Sequence, residues 1–129
     1  MDTKKTNYVK LEDLEVYQLA RELSRIAWEI YEKLSWQEKK VVGDQFLTST
    51  DSFGANVAEG YGRYHYLDRI KFFYNGRGSL VESIHWINLM KERSQTTEDQ
   101  YGRFQSVAKK SSIKLQNFIS AIYKVKNDK

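Results

Sequence analysis

The sequence predicts an all-α protein, an antiparallel up-and-down four-helix bundle. Three observations carry that expectation. The 129 residues contain no proline and only 7 glycines, and a proline-free chain suits long helices better than a turn-rich sheet. Apolar residues recur every three or four positions in four separate segments, the period of one helix face. With 40% hydrophobic and 29% charged residues, the chain can bury one core and is too short to hold two. Residues 11–126 are therefore read as one bundle domain, and residues 1–10 as a flexible N-terminal segment.

In the first segment, Val16, Leu19, Ala20, Leu23, Ile26, Ala27, Ile30 and Leu34 share a face. Asp13 is placed to cap its start, and the segment ends near Ser35. In the second, Val42, Phe46, Thr50, Phe53 and Val57 align, and Gly60 and Gly62 close the stretch, as glycines past the last periodic residue do. This helix is rich in small residues, from Thr48 to Ala58. Gly54 within it costs about 1 kcal/mol relative to alanine, so a close neighbour should compensate. The third segment runs from about Tyr66 to Arg93, with Ile70, Phe73, Tyr74, Leu80, Val81, Ile84 and Ile87 on one side. The fourth runs from about Thr97 to Val125, aligning Tyr101, Phe104, Ala108, Ser111, Leu115, Phe118 and Ile122. Short connections between four such helices give the antiparallel bundle.

Two features depart from a simple amphipathic pattern. Arg77 falls within the third helix's apolar arc, where a guanidinium must be paired. Glu59 and Asn56 at the end of the second helix are its expected partners. The first helix has a second apolar side, with Leu14, Tyr17 and Trp28 lying off the main stripe and Arg21 interleaved. Aromatics mixed with arginine suit a protein interface, so this side predicts self-association or a protein partner.

The formal net charge is +4, and residues 94–129 hold 7 basic against 3 acidic side chains. Arg103, Lys110, Lys114 and Lys124 project into one arc opposite the apolar seam, with Lys109 beside it and no acidic residue between Asp99 and Asp128. Such a row can follow a phosphate backbone of RNA or DNA. Arg63, Arg69 and Lys71 near the second connection extend the candidate surface.

Catalytic signals are absent. Without cysteine there are no disulfides, thiolate zinc sites or thiol nucleophiles. His65 and His85 lie 20 residues apart with no His-x-x-x-His spacing, so neither metal nor other cofactor is expected. The glycines of Gly60-Tyr61-Gly62 and Gly76-Arg77-Gly78-Ser79 lack the strand and lysine of a phosphate loop. The expectation is a non-enzymatic, cytoplasmic protein: the first residues, Met1-Asp2-Thr3-Lys4-Lys5, have no apolar run, and no segment is apolar enough for a membrane.

Three stretches carry a family resemblance. They are Leu11-Glu12-Asp13-Leu14-Glu15-Val16-Tyr17 with Ala20-Arg21-Glu22-Leu23, Asn56-Val57-Ala58-Glu59-Gly60-Tyr61-Gly62-Arg63, and Phe72-Phe73-Tyr74-Asn75-Gly76-Arg77-Gly78-Ser79-Leu80-Val81-Glu82. Together they resemble the bacterial four-helix bundle proteins encoded within intervening sequences of 23S rRNA genes. Two departures stand out: the family usually has alanine where this chain has Gly76, and often a proline near Gly54. The resemblance implies assembly into a ring, a homopentamer. It also implies similarity to the basic accessory protein of diversity-generating retroelements, which binds reverse transcriptase and nucleic acid. Asn56, Glu59, Gly60, Gly62 and Arg77 match motif positions of the intervening-sequence family.

Overall fold

The computed structural model describes residues 9–127. Most of the expected flexible segment, residues 1–8, lies outside the described residues. Among the described residues there are four long helices and no strand. After a 3-10 turn at Leu11–Asp13, α1 spans Glu15–Glu32. A short helix at Trp36–Glu38 passes through a π-helical turn at Lys39–Gly43 into α2, Asp44–Tyr61. Helix α3 spans Tyr66–Glu92 and α4 spans Glu98–Asn127.

Local chemistry explains the helix starts. Asp13 does not cap α1 as expected. It closes the preceding 3-10 turn, and Leu14 takes the capping position without a side-chain bond. The lead-in to α2 starts with a capping box: the Glu38 amide donates to Ser35 Oγ and the Ser35 amide donates to Glu38 Oε1. The same reciprocal pair opens α4, between Thr97 and Gln100, satisfying two amides that a helix start leaves orphaned.

Each helix packs against two others, in the cycle α1–α2–α3–α4–α1, with α2 and α3 in the most extensive contact. The small residues of α2 permit this closeness. A Cβ on Gly54 would meet the Ala20 Cβ of α1 at 3.4 Å, and one on Gly76 of α3 would meet the Asn56 Cβ at 3.3 Å. Phe46, Phe53, Phe73 and Phe104 are fully buried, with the Phe46 and Phe104 rings 5.2 Å apart across the core. The buried hydroxyls of Ser49, Thr50, Ser83 and Ser111 each donate to a carbonyl one turn back, so they are satisfied within their own helices.

The five aligned positions of the second segment are all buried, as are those of the first except the half-buried Leu19. The third segment requires a correction. The buried seam of α3 is Ile70, Phe73, Gly76, Leu80, Ser83, Ile87 and Met90. Tyr74 and Val81, expected inside, are exposed, and so is Arg77. Gly76 and Ser83 carry no hydrophobic signal, so the apparent centre of the apolar arc lies off the true seam. With about 100° between successive helix residues, burying Gly76 turns Arg77 outward.

Candidate nucleic-acid interface

The sequence nominates two basic regions, and the structure treats them differently. In the first, Arg103, Lys109, Lys110, Lys114 and Lys124 all lie exposed on α4. The row is not the uncompensated stripe expected from α4 alone, because α1 supplies the counter-charges. Arg103 Nη1 lies 3.1 Å from Glu29 Oε1, and Lys114 Nζ lies 3.3 Å from Glu15 Oε1. The hydrogen bond from Arg103, and then its charge, hold the Glu29 carboxyl below its ordinary value, while Arg103 is raised by the same bond. Beside these ion pairs, the groove of α1 and α4 is lined by Glu22, Glu98 and Asp99 as well as Arg103 and Lys110. Such a mixed surface attracts polyanions less than an uncompensated row would.

The second region is the connection between α2 and α3. Here Arg63, Arg69 and Lys71 come together over aromatic rings. The Arg63 guanidinium lies 4.7 Å from the Phe72 ring centre, Lys71 Nζ lies 6.0 Å from the same ring, and Arg69 sits 5.8 Å over Tyr66. Arg69 Nε also donates to the Arg63 carbonyl at 2.6 Å, tying the first turn of α3 to the start of the connection. Arg63 is partly neutralised by Glu59 one turn back, whereas Arg69 and Lys71 make no ion pair among the described residues. Tyr64, within the connection, is 85% exposed, and His65 touches it edge-on at 5.1 Å. Sequence reasoning nominated these three cations but missed the aromatics beneath and beside them. The signal was available in the alternation of Tyr61, Tyr64, Tyr66 and Phe72 with Arg63, Arg69 and Lys71.

The expected Arg77 pairing does not form. Glu59 pairs with Arg63, Asn56 donates to the Ser52 carbonyl of its own helix, and Arg77 makes no ion pair among the described residues. Arg77 instead borders a shallow cavity with Ser112, Ile113, Gln116 and Asn117 of α4. Of the other motif positions, Gly60 is buried and Gly62 terminates α2.

On α1, the off-stripe residues divide. Leu14 and Tyr17 are half-buried and pack against the core, and Arg21 lies over Tyr17 and bonds its hydroxyl. Trp28 is half-exposed and stacks on Tyr31, whose hydroxyl donates to Asp44 of α2 at 2.7 Å. That bond, more than burial, raises the Tyr31 hydroxyl above its usual value. The exposed Trp36 and Val41 follow just beyond α1, with Lys40 over the Trp36 ring.

Glu82 and His85 stand at Glu-x-x-His spacing on α3, half of the ligand motif of carboxylate-bridged metal bundles, which sequence reasoning overlooked. Both are exposed, and Glu82 accepts a bond from Trp86 Nε1. Among the described residues, no three His, Asp or Glu side chains are grouped to hold a metal. No helix among them is long and apolar enough to cross a membrane.

The model of the 23S rRNA-intervening sequence protein family matches residues 12–125. The chain belongs to that family. The fold agrees: a crystal structure of a protein with unknown function, from the S23 ribosomal protein family of Bacteroides thetaiotaomicron, superposes with a TM-score of 0.75. The two share 23% sequence identity, and the alignment covers 81% of this chain and 95% of that one. No curated protein matches the chain. The matched range includes the Asn56–Arg63 and Gly76–Glu82 stretches, several of whose residues lie where α2 and α3 approach most closely.

Proposed function

We propose that this chain is a non-enzymatic, self-associating four-helix bundle that binds RNA or DNA, as an accessory of a ribonucleoprotein. The cluster of Arg63, Arg69 and Lys71 on aromatic rings carries the binding reading. Guanidinium and ammonium groups braced on aromatic faces keep donors free for phosphate. Lys109, Lys110 and Lys124, exposed on α4, add diffuse attraction. Arg103 and Lys114, already paired, contribute less.

The antiparallel arrangement is supported by the order of contacts along α1 and α4, where Glu29 meets Arg103 and Glu15 meets Lys114. Assembly into a ring is supported by exposed large apolar side chains on two parts of the molecule. One set, Trp28, Trp36 and Val41, belongs to α1 and the lead-in to α2, and the other, Tyr74, Val81 and Ile113, belongs to α3 and α4. Different patches on one subunit suit a head-to-tail contact that closes into a ring, of the pentameric kind that the resemblance implies. Each added subunit repeats the cationic cluster and strengthens binding by avidity.

Fluorescence anisotropy with labelled RNA and DNA at two salt concentrations tests the binding. If Arg63, Arg69 and Lys71 each meet a phosphate of a single strand, log K should fall against log salt with a slope of about −2. Arg69→Glu with Lys71→Glu should weaken binding whatever the base sequence. Absence of binding at low salt by the intact protein overturns the proposal. Light scattering of wild type and Trp28→Ala tests the assembly, and a monomeric wild type would refute it.

A further inference from the structure

The most exposed large hydrophobic side chain among the described residues is Tyr64, at 85%. It sits in the four-residue connection 62–65, between the end of α2 and the start of α3. Among the described residues its only ring contact is the T-shaped one with His65, with planes at 81°. With so little of the side chain covered, at least one face of the phenol ring is open to solvent. An aromatic left in water gives up the stabilisation that burial of its surface would provide.

The surroundings indicate what could cover that face. Among the described residues, Arg69 and Lys71, within seven positions of Tyr64, carry no acidic partner, and Arg63, its neighbour, has one in Glu59. The connection is also held in place before any ligand arrives. Arg69 Nε bonds the Arg63 carbonyl at 2.6 Å, and the Arg63 amide donates to the Gly60 carbonyl at 3.2 Å. A platform already fixed loses little entropy on binding.

We infer that this connection binds single-stranded nucleic acid, with an unpaired base stacked on Tyr64 and the flanking phosphates on Arg69 and Lys71. The inference rests on the nucleic-acid reading above and narrows it to one substrate class. Within a duplex each base face is occupied by its neighbours, so a duplex offers the cations its phosphates and offers Tyr64 nothing to stack on. Single strands and loops present both groups at once. Recognition of this kind tolerates any base, because every base has a π-face.

The test uses the full chain and three labelled probes of equal length: oligouridine, oligothymidine and a blunt RNA duplex. Wild type should prefer both single strands to the duplex. Tyr64→Ala should weaken single-strand binding by about five- to a hundred-fold, the range measured for removing one base-stacking aromatic, and leave duplex binding unchanged. Tyr64→Trp should retain single-strand affinity, since the ring and not the hydroxyl carries the contact. Equal binding of duplex and single strand, with Tyr64→Ala without effect on either, overturns this inference and leaves the nucleic-acid reading standing. Failure of wild type to bind any of the three probes overturns both. Circular dichroism of Tyr64→Ala should match wild type, as expected for so exposed a position, so an affinity loss is not a folding loss.

Discussion

The ring of Phe73 in α3 fills the space where a side chain on Gly60 of α2 would stand. A Cβ placed there would lie 2.6 Å from Phe73 Cε1 and 2.9 Å from Cδ1. Phe73 is fully buried and meets Phe118 of α4 at 5.0 Å, so it has little room to yield. Gly60→Ala should therefore destabilise the fold by about 1–2 kcal/mol, the overpacking cost exceeding any gain in helix propensity. Gly62, two residues on, is different. A Cβ there would approach only the Ala58 and Glu59 carbonyls, at 3.6 Å, and Gly62→Ala should stay within about 0.5 kcal/mol of wild type. Urea unfolding of the two variants separates the glycine that α3 requires from the one that merely ends the helix.

Gly78 and Gly102 lie within α3 and α4, exposed, and a Cβ on either would meet nothing within 4 Å among the described residues. Neither has a positive φ. Alanine at each position should gain about 0.5–1 kcal/mol by restoring helix propensity and narrowing the unfolded ensemble. The two sites are on different helices and the gains should add. A thermal melt of the double variant that matches wild type would show that one of these glycines serves a contact outside the single chain.

The helices were legible because their apolar periods are long and uninterrupted, and the seams of α1 and α2 could be read residue by residue. The seam of α3 could not. It passes through Gly76 and Ser83, which register as neutral in any hydrophobic projection, while Tyr74 and Val81 pull the apparent centre outward. Burial there depends on how close α2 comes, a property of two helices together. The same limit applies to the basic row of α4: Glu15 and Glu29 are far away in sequence and only the packing of α1 brings them to Lys114 and Arg103. The α2–α3 connection was half legible, since its cations stand out in the sequence and the exposure of Tyr64 does not.

The outward position of Arg77 has an energetic consequence. An arginine in a buried ion pair, if removed, leaves an uncompensated charge, at a cost of about 3–5 kcal/mol. Exposed and without an ion pair among the described residues, Arg77 has no such role within one chain. Arg77→Gln should change the unfolding free energy by less than about 0.5 kcal/mol, and its urea curve should overlay that of wild type at low protein concentration. A large loss would mean that Arg77 is paired in the folded protein after all.

The ion pair between Glu29 and Arg103 makes a directional prediction about pH. The hydrogen bond and charge from Arg103 lower the Glu29 carboxyl from its ordinary 4.5. The ionised form is thus favoured in the folded chain relative to the unfolded one. Its contribution to stability is complete above 4.5 and is lost as pH falls through the lowered value. Both side chains are about half exposed, at 45% and 50%, so salt should screen the effect and the energy at stake is small. The clean measurement is an NMR titration of the Glu29 side-chain carboxyl. Its midpoint should lie below 4.5 in wild type, rise towards that value in Arg103→Gln, and move the same way when salt is added to wild type. A wild-type midpoint that neither Arg103→Gln nor salt displaces would mean that α1 does not hold Arg103 in solution. The α4 row would then stand uncompensated at that position, and its claim as a phosphate-binding surface would rise to match that of the α2–α3 connection.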